Sequence, residues 1–144
     1  MSGPLRVTLV MRCFVVNEAG RLLLMKRSLS DPYKKGLWEC PGGKVDTAED
    51  LWCAGIREVE QETGFLVEPV APLTYVDNHV IREGKYKGNL YVQVIGVARV
   101  IAGTLRLSTE HEAGVWISYD NVFLYDLAPK IKEAAIALKE YLTK

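Results

Sequence analysis

Apolar and polar positions change period several times along the 144-residue chain. Leu5 to Val16 is a run rich in Val, Leu and Phe, which predicts a β-strand. Asn17-Glu18-Ala19-Gly20 is a turn signal, and Leu22 to Lys26 is a second apolar run, so a hairpin is expected there. Ser28 to Trp38 is polar and irregular, with Asp31-Pro32 and Lys34-Lys35-Gly36, and reads as an exposed loop. Pro41-Gly42-Gly43 marks a tight backbone feature. Leu66 to Val80 and Leu90 to Ile101 are long β-type runs joined by a polar hairpin tip, Arg82 to Gly88. Thr104 to Leu107 suits a short strand, and Val115 to Ile117 is a further apolar run.

The spacing changes to a helical period over Asp46 to Glu62. Ala48, Leu51, Trp52, Gly55, Ile56 and Val59 define one face. Asp46 is placed to cap this helix, Glu49 completes a capping-box-like pair, and Gly64 supplies the stop. A last helix is expected from Pro129, burying Ile131, Ala134, Ala135, Leu138, Tyr141 and Leu142. Strands outnumber helices and separate them, which predicts an α/β protein with a mixed sheet covered by helices. The chain has the length of one domain and no visible linker or repeat.

Composition narrows the function. Apolar residues make up 49% and charged residues 25%, as in a globular protein. Eighteen basic residues balance eighteen acidic ones, so no stable nucleic-acid partner is expected. The longest uncharged runs, such as Leu90 to Ala98, are far shorter than a membrane span requires, so no membrane association is expected. Arg12 interrupts the apolar start, which reads as a strand and not as a signal peptide. Cys13, Cys40 and Cys53 are odd in number and fit no metal-finger or Cys-x-x-Cys spacing, which points to reduced thiols in a cytoplasmic protein.

The candidate chemistry lies in residues 44–62, where Lys44 and Arg57 face six carboxylates. Such a segment can simply be a solvated face. On a helical wheel, however, Glu62 falls about 50° and Glu58 about 90° from the centre of the apolar stripe, at the margin of the buried face. The two are one turn apart, where like charges repel and a divalent cation would convert repulsion into binding. Carboxylate oxygens suit Mg2+ or Mn2+. Arg57 points away from the stripe, either reaching back to a carboxylate or solvated. Gly42 and Gly43 allow close backbone approach, and their N–H groups suit anionic oxygens.

Gly43, Glu49, Arg57, Glu58, Val59, Glu62, Gly64 and Phe65 together resemble the Nudix box, G-x(5)-E-x(7)-R-E-U-x-E-E-x-G-U, in which U is aliphatic or bulky apolar. Lys26-Arg27, Leu37 to Gly43, Glu110-His111-Glu112 and Val115 to Ser118 also look like the family, so the likeness covers most of the chain. The resemblance implies a Nudix-type α/β/α sandwich over residues 1–144 with its box at 43–65, and hydrolysis of a nucleoside diphosphate linked to another group. It implies Glu58 and Glu62 as metal ligands, with Mg2+ (or Mn2+) as cofactor and a further carboxylate from a loop outside the box, for which Glu110 is the first candidate and Glu112 the second. Arg57, Glu58 and Glu110 form the expected catalytic set, with Glu58 or Glu110 as base. One position departs: Gln61 stands where the family has a first glutamate that commonly helps bind metal. Lys26, Arg27, Gly42, Gly43 and Lys44 are candidate phosphate contacts, the cationic side chains being equally suited to solvation. Trp38 suits either base stacking or packing. His79 and His111 have no partner pattern and read as structural, and Trp52 reads as packing.

Markers of other subgroups are not seen. Val80 and Ile81 stand where the ADP-ribose type tends to have proline, and Tyr86 lies too far on for the dinucleoside-polyphosphate tyrosine. By elimination the chain resembles the MutT-related (d)NTP pyrophosphohydrolases, which release a nucleoside monophosphate and pyrophosphate from a small nucleotide. The alternative is a catalytically weakened domain, suggested by Gln61, that binds nucleotide as a regulatory module. A homodimer is compatible with either.

Overall fold

A computed structural model describes residues 3–32 and 35–142, with the side chains of 71–74 and 141–142 outside that description. Its strands are β1 (Val7–Val16), β2 (Leu22–Arg27), β3 (Trp38–Glu39), β4 (Gly42–Lys44), β5 (Phe65–Val80), β6 (Leu90–Gly103) and β7 (His111–Ile117). Its helices are α1 (Leu51–Thr63), between β4 and β5, and α2 (Ile131–Leu142), after β7. A 3-10 helix over Tyr119–Leu124 links β7 to α2.

The seven strands make one mixed sheet, ordered β3-β2-β1-β6-β5, with β4 added to β1 and β7 to β2. The expected hairpin after β1 is only a corner. Val16 pairs with Leu22, and β1 then runs parallel to β6 along its whole length, from Val7↔Leu90 to Val16↔Arg99. β5 and β6 form the predicted long hairpin, and β5 is the sheet's edge along this order. Pro69 and a register shift sit in that edge strand, where a missing N–H is tolerated.

The continuous apolar run of β1 follows from burial on both faces. Met11, Cys13 and Val15 pack with Leu23 and Met25 of β2 and Ala54 and Val59 of α1. Phe14 packs on the opposite side with Leu22, Leu24, Ile95 and Val97, under Ile131, Ala134, Ala135 and Leu138 of α2. Two cores, one on each side of the sheet, make the expected α/β/α sandwich. Each large aliphatic side chain so buried contributes about 1.5–3 kcal/mol.

Several boundaries differ from the sequence expectation. α1 begins at Leu51, not Asp46, because Ala48 has a left-handed φ of 67° that no helix accommodates. Ala48 is therefore exposed and outside the stripe. The cap is Asp50, whose carboxylate accepts from the Cys53 N–H at 2.8 Å. Asp46 and Glu49 instead close a turn ahead of the helix, the Asp46 N–H donating to Glu49 Oε1 at 2.9 Å. Gly64 ends α1 as predicted, at φ 81°, its N–H donating to the Glu60 carbonyl. Pro129 lies before α2, since Lys130 has φ 73°. No strand forms over Thr104–Leu107. Gly42–Lys44 is a short strand, pairing with Val10, Met11 and Arg12. Tyr33 and Lys34 of the expected loop lie outside the described residues, as do the side chains of Tyr141 and Leu142. No described helix is long and apolar enough to cross a membrane.

Candidate active site

The C-terminal half of α1, strand β4 and the loop entering β7 converge on one site. Pairing of β4 with β1 brings Gly42 against α1, and the Gly42 N–H donates to Glu62 Oε2 at 2.8 Å. Glu62 is only 4% exposed, so it lies inside the buried face and not at its margin. Burial, resisted by the Gly42 N–H and by Arg12, pushes its carboxyl up to about 8. Side-chain atoms of Glu62, Glu110 and His111 fall within 4.8 Å of one another, a group that can hold one cation. Glu110 is its exposed member.

Glu58 sits beside this group, with a different partner. Its Oε1 accepts from Arg57 Nη1 at 2.8 Å. Its carboxylate lies over Gly43 so closely that a Cβ there would come within 2.5 Å of the carboxyl carbon. Arg57 does reach back: it donates to Glu49 through Nε and Nη2 and to the Lys44 carbonyl at 3.1 Å, and its weakest bond, 3.4 Å, goes to Gln61 Oε1. The bond to Arg57 is the main reason the Glu49 carboxyl is lowered to about 2. One guanidinium thus ties the turn before α1 to the acidic side of the helix.

Below the cluster is a second, largely buried set of charges whose hub, Glu39, sequence reasoning missed. Glu39 is 0% exposed. Its carboxylate lies 3.1 Å from Arg27 Nη1, 3.6 Å from Arg12 Nη1 and 3.0 Å from His111 Nε2. Arg12, inside β1, also donates to the Cys40 carbonyl and to Gln93 Oε1. Burial works against the Arg12 charge, but Glu39, with smaller help from neighbours including Glu62, keeps its pKa raised. The sequence signal was Arg12 itself, a charge inside an apolar strand.

The remaining sequence candidates are spread more widely. Lys26 pairs with Glu112 at 3.1 Å, and Arg27 also pairs with Asp31. Trp38 meets Tyr125 edge-on, with ring centroids 5.0 Å apart. The Lys44 ammonium lies 5.9 Å from the Tyr86 ring. Trp52 packs over Gly96. On the α2 side of the sheet, Asp77, His79, Ile81, Tyr91, Gln93 and Lys130 line a cleft of about 700 Å³ that no sequence pattern announces. Gln93 of its lining is the acceptor for Arg12, so the cleft adjoins the buried charge network. His79 stacks on Tyr91 there, with centroids 5.0 Å apart.

The family model for the NUDIX domain matches residues 7–139. The chain belongs to the Nudix family. CTP pyrophosphohydrolase of Escherichia coli (strain K12) is 31% identical over 128 residues, 87% of this chain and 89% of that protein. A MutT-like protein of Streptomyces ambofaciens is 34% identical over 108 residues, 75% of this chain and 62% of that protein. Matches to Nudix hydrolases 5, 6 and 7 of Arabidopsis thaliana span only 22, 24 and 23% of those longer proteins. Among solved structures, the MutT protein from Methanosarcina mazei Go1 superposes with a TM-score of 0.79 at 25% identity, over 99% of this chain and 100% of that one. Residues 43–65, which resemble the Nudix box, span most of β4, the turn that follows it, α1, the Gly64 stop and the first residue of β5.

Proposed function

We propose that this Nudix chain is a divalent-metal-dependent (d)NTP pyrophosphohydrolase acting from the cytoplasm, with Mg2+ as the ordinary cofactor. The observation that carries the reading is Glu62. A backbone N–H holds this buried carboxylate in place, and its free oxygen faces Glu110 and His111. An acid so enclosed and raised toward neutrality is costly to ionise alone and favourable to ionise against a cation. The donors fit a divalent ion: Glu62 and Glu110 would hold it directly, with Glu58 close by.

When bound, the ion neutralises phosphate charge and lowers the pKa of a water. The protein's own part is positioning. Arg57 fixes Glu58 from one side, and Gly43 leaves room for its carboxylate. Glu58 or Glu110 takes the proton from the attacking water. A P–O bond forms to that water, the bridging P–O bond breaks, and the electron pair leaves with pyrophosphate. The cleft beside Gln93 has the size for a nucleoside, with Asp77 and Lys130 as polar groups at its wall. The free thiols Cys13, Cys40 and Cys53 fit a reducing compartment.

The E. coli relative's name makes CTP the first substrate to try. A panel of (d)NTPs with Mg2+, with products resolved as monophosphate and pyrophosphate, tests the reading in wild type and Glu62→Gln. Turnover of one or more triphosphates, lost in Glu62→Gln, is expected. Preference for ADP-ribose or a sugar nucleotide refutes the substrate class, and equal activity of the two proteins refutes the metal assignment. Nucleotide binding without turnover would mark a regulatory module.

A further inference from the structure

His111 is the least ordinary member of the cluster. Its ring is fully buried, so each nitrogen needs a partner. Nε2 has one, Glu39 Oε2 at 3.0 Å. Glu39 already lies between two guanidinium groups, so the ionised carboxylate accepts and Nε2 carries the hydrogen. That tautomer leaves Nδ1 with a lone pair. Nδ1 has no hydrogen-bond partner among the described residues. It faces Glu62 Oε1 at 3.9 Å, beyond hydrogen-bond range. Two donors each about 2.1 Å from one cation stand roughly 3–4 Å apart, according to the angle between them. A histidine whose far N–H is held by a carboxylate, with the other nitrogen bare beside acidic groups, has the arrangement that orients imidazole toward a metal.

We propose that His111 Nδ1 is a nitrogen ligand of the cation held by Glu62 and Glu110, and that Glu39 is the positioning residue that sets its tautomer. A site with one imidazole binds Mn2+, Co2+ and Zn2+ more tightly relative to Mg2+ than carboxylates and waters alone would. This rests on reading the cluster as a cation site, but it makes a separate claim about which atoms touch the ion.

The test uses the full chain with Mn2+ and reads bound nitrogen by pulsed electron paramagnetic resonance. The chain has two histidines, so labelling with 15N-histidine isolates them, and His79→Asn removes the other one. The expected result is 14N modulation of a directly bound imidazole in unlabelled protein. It should be replaced by the 15N pattern on labelling and retained in His79→Asn. Calorimetry adds a second reading. His111→Gln keeps a donor for Glu39 but deletes Nδ1, so Co2+ affinity should fall about tenfold or more while Mg2+ affinity changes less than about threefold. Saturable, Glu62-dependent Mn2+ binding with no nitrogen modulation overturns the His111 assignment and leaves the cation site standing. No saturable Mn2+ binding at all overturns both. If His111→Gln fails to fold, the labelling result on wild type decides alone.

Discussion

Glu62→Gln makes a sharp prediction about stability, apart from any effect on turnover. The Glu62 carboxyl titrates at about 8 in the folded protein against an ordinary 4.5. Between those values the folded chain holds a proton that the unfolded chain has released, so its stability must fall as pH rises through the window. The contribution is complete below the unfolded value and is gone above the folded one. Linkage puts the loss between pH 6 and pH 8 at about 2 kcal/mol. The substituted amide would keep an oxygen for the Gly42 N–H but has nothing to titrate, so the variant lacks this component. Urea unfolding in chelator at pH 6 and pH 8, on wild type and variant, isolates the residue, because every other titrating group is shared. The wild-type protein should lose about 2 kcal/mol more than the variant over this range. Equal pH slopes would show that Glu62 is not raised by burial, and the argument that a cation must displace its proton would go with it.

Other substitutions test the parts that hold the site. Gly64→Ala places a Cβ 2.6 Å from the Thr104 carbonyl at a φ of 81°, so it should cost about 1–3 kcal/mol or more in thermal unfolding. Arg12→Met strips Glu39 of one guanidinium inside the sheet and should cost about 3–5 kcal/mol in urea unfolding; a loss under about 1 kcal/mol would mean that Arg27 and His111 suffice. Gly43→Ala pushes on the flexible carboxylate of Glu58 and not on backbone. Stability should change by less than about 1 kcal/mol, while kcat falls by about tenfold or more as Glu58 leaves Arg57.

What the chain revealed in advance was local. The period of α1, its Gly64 stop, the β5–β6 hairpin and the glycine pair all rest on residues close in sequence, and so did the placing of Glu58 and Glu62 on one helical side. Errors arose where a local rule met a competing one. Asp46 and Glu49 have the spacing of a capping pair and do bond to each other, but the left-handed Ala48 turns that bond into a turn and passes the cap to Asp50. The pairing of β1 with β6 in parallel was not legible, because nothing at Asn17–Gly20 says how far the reversed strands stay together.

The partner of His111 was not legible for a related reason, since Glu39 is 72 residues away in the chain. Yet one residue did carry the information. β1 is apolar on both sides of Arg12, and a guanidinium in a strand covered on both faces cannot be left without a buried carboxylate. Among the described acidic residues, Glu39 alone is fully enclosed, three residues before the Gly42 N–H that holds Glu62. The interruption of the first apolar run by a single charge therefore foretold a buried acid at the floor of the site. Arg12, Glu39 and His111 form the chain of contacts by which that charge reaches the Glu62 cluster.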